Sequence, residues 1–156
     1  MKRKVRIIAI IMAMVMVLAV PMNVFAASKP YKDVSVSSVG KEGYNAICYV
    51  KRHGGYADVV KGNKFHPNKK MKRWEFLTML SNFYGDDAVP VSMSDIRHAN
   101  KAITEKYACK KMVAVAKKAF GMTITWKGGS KKLSRTLASQ YLKVFAQFDP
   151  AFRPRY

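Results

Sequence analysis

Two stretches of this chain, 62 residues apart, carry the same pattern of apolar and charged side chains. In each stretch apolar residues recur at i, i+3, i+4 and i+7, the spacing of one face of an α-helix. An arginine precedes each stripe by three residues, Arg73 in the first and Arg135 in the second. A repeat of this kind predicts two similar helical units that share a core. The predicted core positions are Phe76, Met79, Leu80 and Phe83, then Ala138, Tyr141, Leu142 and Phe145.

The repeat divides the chain into segments. Repeat one covers residues 31–84, a linker with turn residues and a proline covers 85–92, and repeat two covers 93–148, before a tail at 149–156. We therefore expect a mainly α fold.

Each repeat is predicted to contain two helices. The first helices are expected at about 41–52 and 99–119, and the second helices at 73–84 and 135–147. Glycine-rich turns connect the two helices of each repeat. The signal for a β-strand is weak and is confined to Thr123–Trp126.

Residues 1–26 have the layout of a secretory signal peptide. Four cations within residues 2–6 precede an unbroken apolar run at 7–20, and small residues follow up to Ala26. The run is shorter than the roughly 20 residues of a membrane-spanning helix. This favours cleavage after Ala26 over an uncleaved anchor, and predicts a secreted chain with no stable transmembrane segment after cleavage.

The charge of the chain predicts an anionic partner. The formal net charge is +20, with 29 lysines and arginines against nine aspartates and glutamates. Removal of four cations with the signal peptide leaves +16. Nucleic acid, anionic lipid and an acidic wall polymer all match this charge. Secretion makes intracellular nucleic acid the least favoured of the three.

Cations crowd the start of each second helix, where the partial positive charge of the helix disfavours them. Arginine binds carboxylates and phosphates through two parallel hydrogen bonds, and free N–H groups at a helix start add to an anion site. The sequence thus predicts an anion-binding site in each repeat, with Trp74 as a surface for a sugar ring. The predicted ligand-binding residues are Lys70, Lys72, Arg73 and Trp74 in repeat one, and Lys132, Ser134 and Arg135 in repeat two.

The two arginines also have a structural interpretation. Each lies 40 residues after an aspartate, so Arg73 is expected to pair with Asp33 and Arg135 with Asp95. Structural ion pairs are common. Both roles are compatible if an aspartate orients an arginine that also contacts the ligand, so Asp33, Asp95 and Glu75 are predicted supporting residues.

These segments resemble the S-layer homology (SLH) domain family. Repeat one has Tyr31-Lys-Asp-Val34, Phe65-His-Pro67 and Lys72-Arg-Trp-Glu75, and repeat two has Met93-Ser-Asp-Ile96 and Ser134-Arg-Thr-Leu137. The resemblance implies repeats packed around a shared helix bundle. It also implies non-covalent attachment to an anionic polysaccharide of a bacterial cell wall, for example a pyruvylated one, with the motif arginine holding the acidic sugar.

The departures from the SLH pattern have structural consequences. Its Thr-Arg-x-Glu segment has the form of a helix capping box. Repeat one keeps Glu75 but places Lys72 at the cap, whereas repeat two keeps Ser134 but has Leu137 in place of the acid. Family modules usually occur in threes and this chain has two, so a homodimer or an additional SLH-containing partner is expected to complete the assembly.

No catalytic or metal-binding constellation is recognisable. The carboxylates are dispersed, the three histidines share no metal spacing, and there is no phosphate-binding glycine loop. We predict no enzymatic activity and no cofactor. Cys48 and Cys109 occupy nearly equivalent repeat positions, which is compatible with a disulfide or with two buried thiols.

Two other functions remain open. A secreted cationic protein that acts on membranes or extracellular nucleic acid would also combine lysines with aromatic residues. An SLH-like interaction scaffold would instead complete its core by oligomerisation.

Overall fold

The computed structural model of the protein describes residues 29–154, so the predicted signal peptide lies outside the described residues. Two 3₁₀ turns, Asp86–Ala88 and Pro150–Phe152, accompany the α-helices. Residues 29–154 contain isolated β-bridges but no strand. The prediction of a mainly α fold is therefore confirmed. The helices are α1 (Val36–Arg52), α2 (Arg73–Tyr84), α3 (Met93–Arg97), α4 (Glu105–Phe120) and α5 (Arg135–Phe148).

Helix α1 begins five residues earlier than predicted and is kinked. Ser35 caps it by accepting the Ser38 N–H at 3.2 Å, and the Ser38 hydroxyl oxygen accepts the Ser35 N–H in return. At Gly40 the backbone has φ 73°, a left-handed conformation that glycine adopts without steric cost. The predicted start at Lys41 thus marks the part of α1 beyond the kink.

Helix α4 begins later than predicted, at Glu105 rather than near Ala99. Thr104 caps it by accepting the Tyr107 N–H at 3.3 Å. The residues just before Thr104 are extended because their backbone groups bond to two other segments. Between them and the linker lies the short α3, which the periodicity did not predict.

The two second helices, α2 and α5, are confirmed to within one residue. Both apolar stripes point into the core: seven of the eight predicted positions are buried. Tyr141 is half-buried, and its ring stacks on Trp126 with the centroids 5.9 Å apart. The 62-residue spacing therefore predicted the core face of both helices.

Three helix starts meet in a closed ring of backbone hydrogen bonds. The Met71 N–H donates to the Leu133 carbonyl, Leu133 donates to Ile103, and Ile103 donates to Met71, over 2.9, 3.0 and 2.9 Å. All three side chains are buried at the centre of this ring. These residues lie two positions before α2, α4 and α5, so the three helices radiate from one point, the helix-start ring.

A second circuit lies two residues further along each segment and runs in the opposite order: α2 donates to the segment before α4, α4 to the segment before α5, and α5 to the segment before α2. The first N–H of α2, at Arg73, donates to the Lys101 carbonyl, Glu105 donates to Lys131, and Arg135 donates to Lys69. The spacings along the chain are 32 residues from Arg73 to Glu105 and 30 residues from Glu105 to Arg135. The 62-residue period is therefore the sum of these two spacings between helix starts. Helix α4 supplies the helix start between them, which the sequence pattern did not predict.

The two repeats interleave. Helix α1 from repeat one packs most extensively against α5 from repeat two. A hydroxyl pair, Tyr56 and Ser139, joins the same two repeats inside the core at 2.5 Å. Neither repeat encloses its own apolar face, so the core is common to both.

The structure also bears on the two cysteines and on membrane-spanning helices. Cys48 and Cys109 are free thiols, so the disulfide alternative is not realised in this structure. Burial raises the pKa of the Cys109 thiol. Within residues 29–154 no helix is long and apolar enough to cross a membrane.

The helix-start ring should dominate stability. We expect Ile103→Ala to lower the free energy of unfolding by about 2–5 kcal/mol, because it leaves a cavity between three helices. Ile96→Ala is the matched control, since Ile96 is 61% exposed and should change stability by less than about 0.5 kcal/mol. Urea unfolding followed by circular dichroism measures both, and equal losses would contradict the central role of the ring.

Candidate anion-binding site

Arg73, the first residue of α2, lies beside residues from repeat two. Its Nη1 donates to the Ser94 carbonyl at 2.8 Å and lies 3.5 Å from the carboxylate of Asp95. The guanidinium lies over the Tyr107 ring, 4.6 Å from its centroid. The side chain is 15% exposed, and its Nε has no hydrogen-bond partner. This Nε is itself buried, as is the equally unpaired Nε of Arg135.

The carboxylate of Asp95 contacts most of the polar groups around Arg73. It accepts the Tyr107 hydroxyl and the Ser92 N–H and hydroxyl, each at 2.8 Å. Lys111 Nζ donates to the same carboxylate and to the Pro90 carbonyl. Burial acts to raise the pKa of Asp95, but the hydrogen bonds from Lys111, Ser92 and Tyr107 outweigh it and hold the pKa well below its usual range. Asp95 is therefore ionised at neutral pH.

A pocket of about 480 Å³ opens above this network. Arg73 and Lys111 both pair with Asp95, and Lys110 is exposed, so three cations against one carboxylate leave the pocket with a net charge of +2. This excess suits a carboxylate or a phosphate. The pocket, which we call the Arg73 pocket, is lined by Arg73, Pro90, Val91, Ser92, Ser94, Asp95, Tyr107, Lys110, Lys111 and Ala114.

Arg135 does not form a second copy of this pocket. Its side chain is 5% exposed, and its guanidinium donates to the Phe65 carbonyl at 2.7 Å and to the Val59 carbonyl at 3.3 Å. The third contact is an ion pair with Glu75 at 2.7 Å. The predicted role of Arg135 in ligand binding is corrected accordingly: the chain itself encloses this arginine.

The arginines pair across the repeats rather than within them. Arg73 approaches Asp95 and Arg135 bonds Glu75, so the predicted pairs of Arg73 with Asp33 and Arg135 with Asp95 are wrong. Asp33 instead accepts the backbone N–H groups of Phe65 and His66, each at 2.7 Å. Asp33 thus holds the turn before α2. This turn includes Phe65, whose carbonyl accepts a hydrogen bond from Arg135.

Glu75 serves both helix starts. One carboxylate oxygen accepts the Lys72 N–H at 2.8 Å, and the other accepts Arg135. Lysine cannot accept a hydrogen bond, so α2 keeps only the acidic half of the capping box. In α5, Ser134 supplies the other half by accepting the Leu137 N–H at 3.3 Å. The predicted half-boxes are confirmed, and Glu75 links them through Arg135.

The helix starts carry no open N–H groups at their first two positions, contrary to the expectation for an anion site. Arg73 and Trp74 donate to the Lys101 and Ala99 carbonyls at 2.9 and 3.0 Å. In α5, Arg135 and Thr136 donate to the Lys69 and Pro67 carbonyls at 2.9 and 3.2 Å. Any anion must therefore be held by side chains.

The other predicted ligand residues are dispersed around the helix-start ring. Lys70 and Lys132 are exposed. Lys72 Nζ donates to the Asn100 side chain at 3.1 Å. Trp74 lines a separate hollow that shares Val91 and Asp95 with the Arg73 pocket. Of the predicted set, only Arg73 lines the pocket itself.

Sequence reading missed Tyr107, Lys110 and Lys111. One signal was present: Lys51 donates to the Pro30 carbonyl and Lys111 to the Pro90 carbonyl, and both pairs are 21 residues apart. This second match has an offset of 60 residues rather than 62. Because Asp33 and Asp95, which lie between these residues, match at 62, a search with one fixed period does not detect both sets.

No family model, curated protein or solved structure matches the chain. The chemistry of the Arg73 pocket is therefore the basis for a functional proposal.

The two arginines should differ in their effect on stability. Arg135→Ala removes the buried partner of Glu75 and leaves it only the half-exposed Lys69 at 3.5 Å, which should cost about 3–5 kcal/mol of unfolding free energy. Arg73→Ala should cost less, about 1–3 kcal/mol, because Lys111 still neutralises Asp95. Chemical denaturation measures both. A variant at Arg135 as stable as the wild type would contradict its enclosure.

Glu75 should also make stability depend on pH. Burial acts to raise its pKa, but hydrogen bonds from Lys72 and Arg135 lower the pKa overall. Its contribution is present above the unfolded value of about 4.3 and is lost as the pH falls through the lower folded value. Glu75→Gln has no carboxylate to titrate, so its stability deficit at neutral pH should shrink below about pH 4. Unfolding curves from neutral to acidic pH measure this, and a deficit that stays constant would contradict the prediction.

Proposed function

We propose that this chain is a secreted, non-catalytic protein of the bacterial cell surface that binds an anionic cell-wall polysaccharide in the Arg73 pocket. The observation that carries this proposal is the pocket itself, whose lining holds Arg73, Lys110 and Lys111 against the single carboxylate of Asp95. The formal charge of +20 and the resemblance to SLH modules support the same class of ligand.

Each residue of the pocket has a distinct part. Arg73 is pre-oriented by Asp95 and by the Tyr107 ring, so less side-chain entropy is lost when it binds an acid group. Lys110 is exposed and supplies a second, adjustable charge. Ser94 contributes an exposed hydroxyl for a sugar oxygen.

The saccharide has room to continue beyond the acid group. The hollow beside Trp74 adjoins the Arg73 pocket through Val91. An indole face at this position suits a neighbouring sugar ring, as the sequence predicted for Trp74. Arg135 and Glu75 are assigned to the fold, and the two repeats thus contribute one site rather than two.

A homodimer or an additional SLH-containing partner stays a prediction. The helix-start ring is closed by three segments of the same chain, so completion of this ring does not require a second copy. A second copy would also bring like charges together.

Binding to purified bacterial walls tests the proposal. Lys110→Ala and Arg73→Ala should each weaken binding at least about tenfold at physiological ionic strength, since a charge-assisted hydrogen bond contributes about 1.5–3 kcal/mol. Arg73→Lys should recover little, because lysine cannot make a bidentate contact. Walls stripped of acidic polysaccharide should bind no variant. Sedimentation of the folded variants with walls gives the dissociation constants.

The matched control is Lys61→Ala, which removes the same charge from an exposed position outside the pocket. It should weaken binding only slightly, and mostly at low salt. Equal loss from Lys61→Ala and Lys110→Ala would identify diffuse charge attraction and overturn the assignment of the pocket.

A further inference from the structure

A second surface, next to the Arg73 pocket, exposes large apolar side chains. Trp74 is 36% exposed, Val91 55%, Met93 65% and Ile96 61%. Trp74, Val91 and Ile96 line one hollow of about 330 Å³, and Met93 lies in the same short helix as Ile96. We call these four residues the α3 surface. Clustered apolar exposure of this kind marks an interaction site.

Buried charge holds the α3 surface in place. Ser92 and Asp95 form a reciprocal capping box that starts α3. Asp95 faces inward, where Lys111 and Tyr107 bind it, so Met93 and Ile96 on the remaining face point to solvent. The fold thus fixes a helix whose outer face is apolar.

The equivalent position in repeat one shows that this exposure is particular to repeat two. Val34 corresponds to Ile96 in the 62-residue repeat and is completely buried. The same sequence pattern therefore serves the core in repeat one and the surface in repeat two.

Cations border the α3 surface. Arg97 follows Ile96 directly and is exposed, and Lys101 is exposed in the segment that bonds the start of α2. Lys72 reaches the same segment through Asn100. Lys110 lines the adjoining pocket together with Val91.

Acidic side chains do not offset these cations. Asp95 is buried and neutralised by Lys111. Asp86 and Asp87 are exposed, but they follow the C-terminal end of α2, whereas Trp74 lies in its first turn. Trp74 and the last residue of α2, Tyr84, are about 15 Å apart along the helix axis.

We propose that the α3 surface docks onto an anionic lipid bilayer. Val91, Met93 and Ile96 enter the boundary between headgroups and acyl chains, and Trp74 lies at the interface. The bordering cations pair with lipid phosphates, which adds electrostatic attraction. This surface includes Trp74 and Val91 of the hollow proposed above for a neighbouring sugar ring, so a bilayer and that sugar exclude each other there; docking onto the bilayer does not require the polysaccharide.

The chemistry of the surface favours a bilayer over two other occupants. A polysaccharide needs hydrogen-bonding partners, which valine, methionine and isoleucine side chains do not provide. A second copy of the chain would set the same cations against each other. A bilayer with anionic headgroups matches both the apolar centre and the cationic border.

Vesicle binding tests the proposal with the exported protein. Vesicles of equal parts phosphatidylglycerol and phosphatidylcholine are compared with phosphatidylcholine alone. The double variant Met93→Ser, Ile96→Ser should bind the anionic vesicles at least roughly tenfold more weakly, because two apolar side chains no longer enter the bilayer. Val91→Ser should act in the same direction to a smaller extent. Both changes are at exposed positions, and circular dichroism verifies the fold.

The matched control is Val144→Ser with Phe148→Ser, two side chains that are 54% and 66% exposed on α5. It should bind like the wild type, and all variants share the same N-terminus. A second readout uses Trp126→Phe, which leaves Trp74 as the single tryptophan of the two in the chain. Brominated acyl chains should quench its fluorescence.

Three outcomes would overturn the proposal. The first is wild-type binding by the Met93→Ser, Ile96→Ser variant, and the second is an unquenched Trp74. The third is a lipid-independent dimer that the same double variant abolishes, which would identify a second copy as the occupant.

Discussion

The helix-start ring is the constraint on which the rest of this structure depends. Three extended segments exchange backbone hydrogen bonds in a closed order, and Met71, Ile103 and Leu133 fill the centre. Each segment passes directly into a helix, so one set of contacts determines where α2, α4 and α5 begin and in which direction they leave. Since the N–H groups at the start of a helix have no partner within it, the ring also satisfies donors that would otherwise be unpaired.

Charge placement follows from this ring. The first residues of α2 and α5 are Arg73 and Arg135, and the ring brings each next to an acid from the other repeat. Arg135 is covered by the chain before α2 and becomes a structural ion pair with Glu75. Arg73 contacts α3 and α4, which leave a pocket above it. The same residue type at matched positions therefore has different roles because different segments cover it.

The surface near α3 combines two kinds of recognition on a rigid support. Asp95 orients Arg73 from below and fixes α3 at the same time, so the cationic pocket and the apolar α3 surface share one anchor. A change at Asp95 would disturb both. The two proposed ligands, an acidic saccharide and an anionic bilayer, would therefore contact adjoining parts of the same surface.

The sequence by itself determined the helical periodicity, the core faces of α2 and α5, the half capping boxes and the excess of positive charge. The first three features depend on residues close together in the chain, and the net charge is a sum over all residues. None of them depends on which segments contact each other in the fold. The tertiary structure decided the remainder: the third helix start at Glu105, the partners of both arginines, and the exposure of Ile96 where Val34 is buried. A repeat pattern identifies equivalent positions, but it does not state what covers them. That depends on contacts between segments about 20 to 60 residues apart, such as Lys111 with Pro90 and Glu75 with Arg135, which arise only when the chain closes the ring.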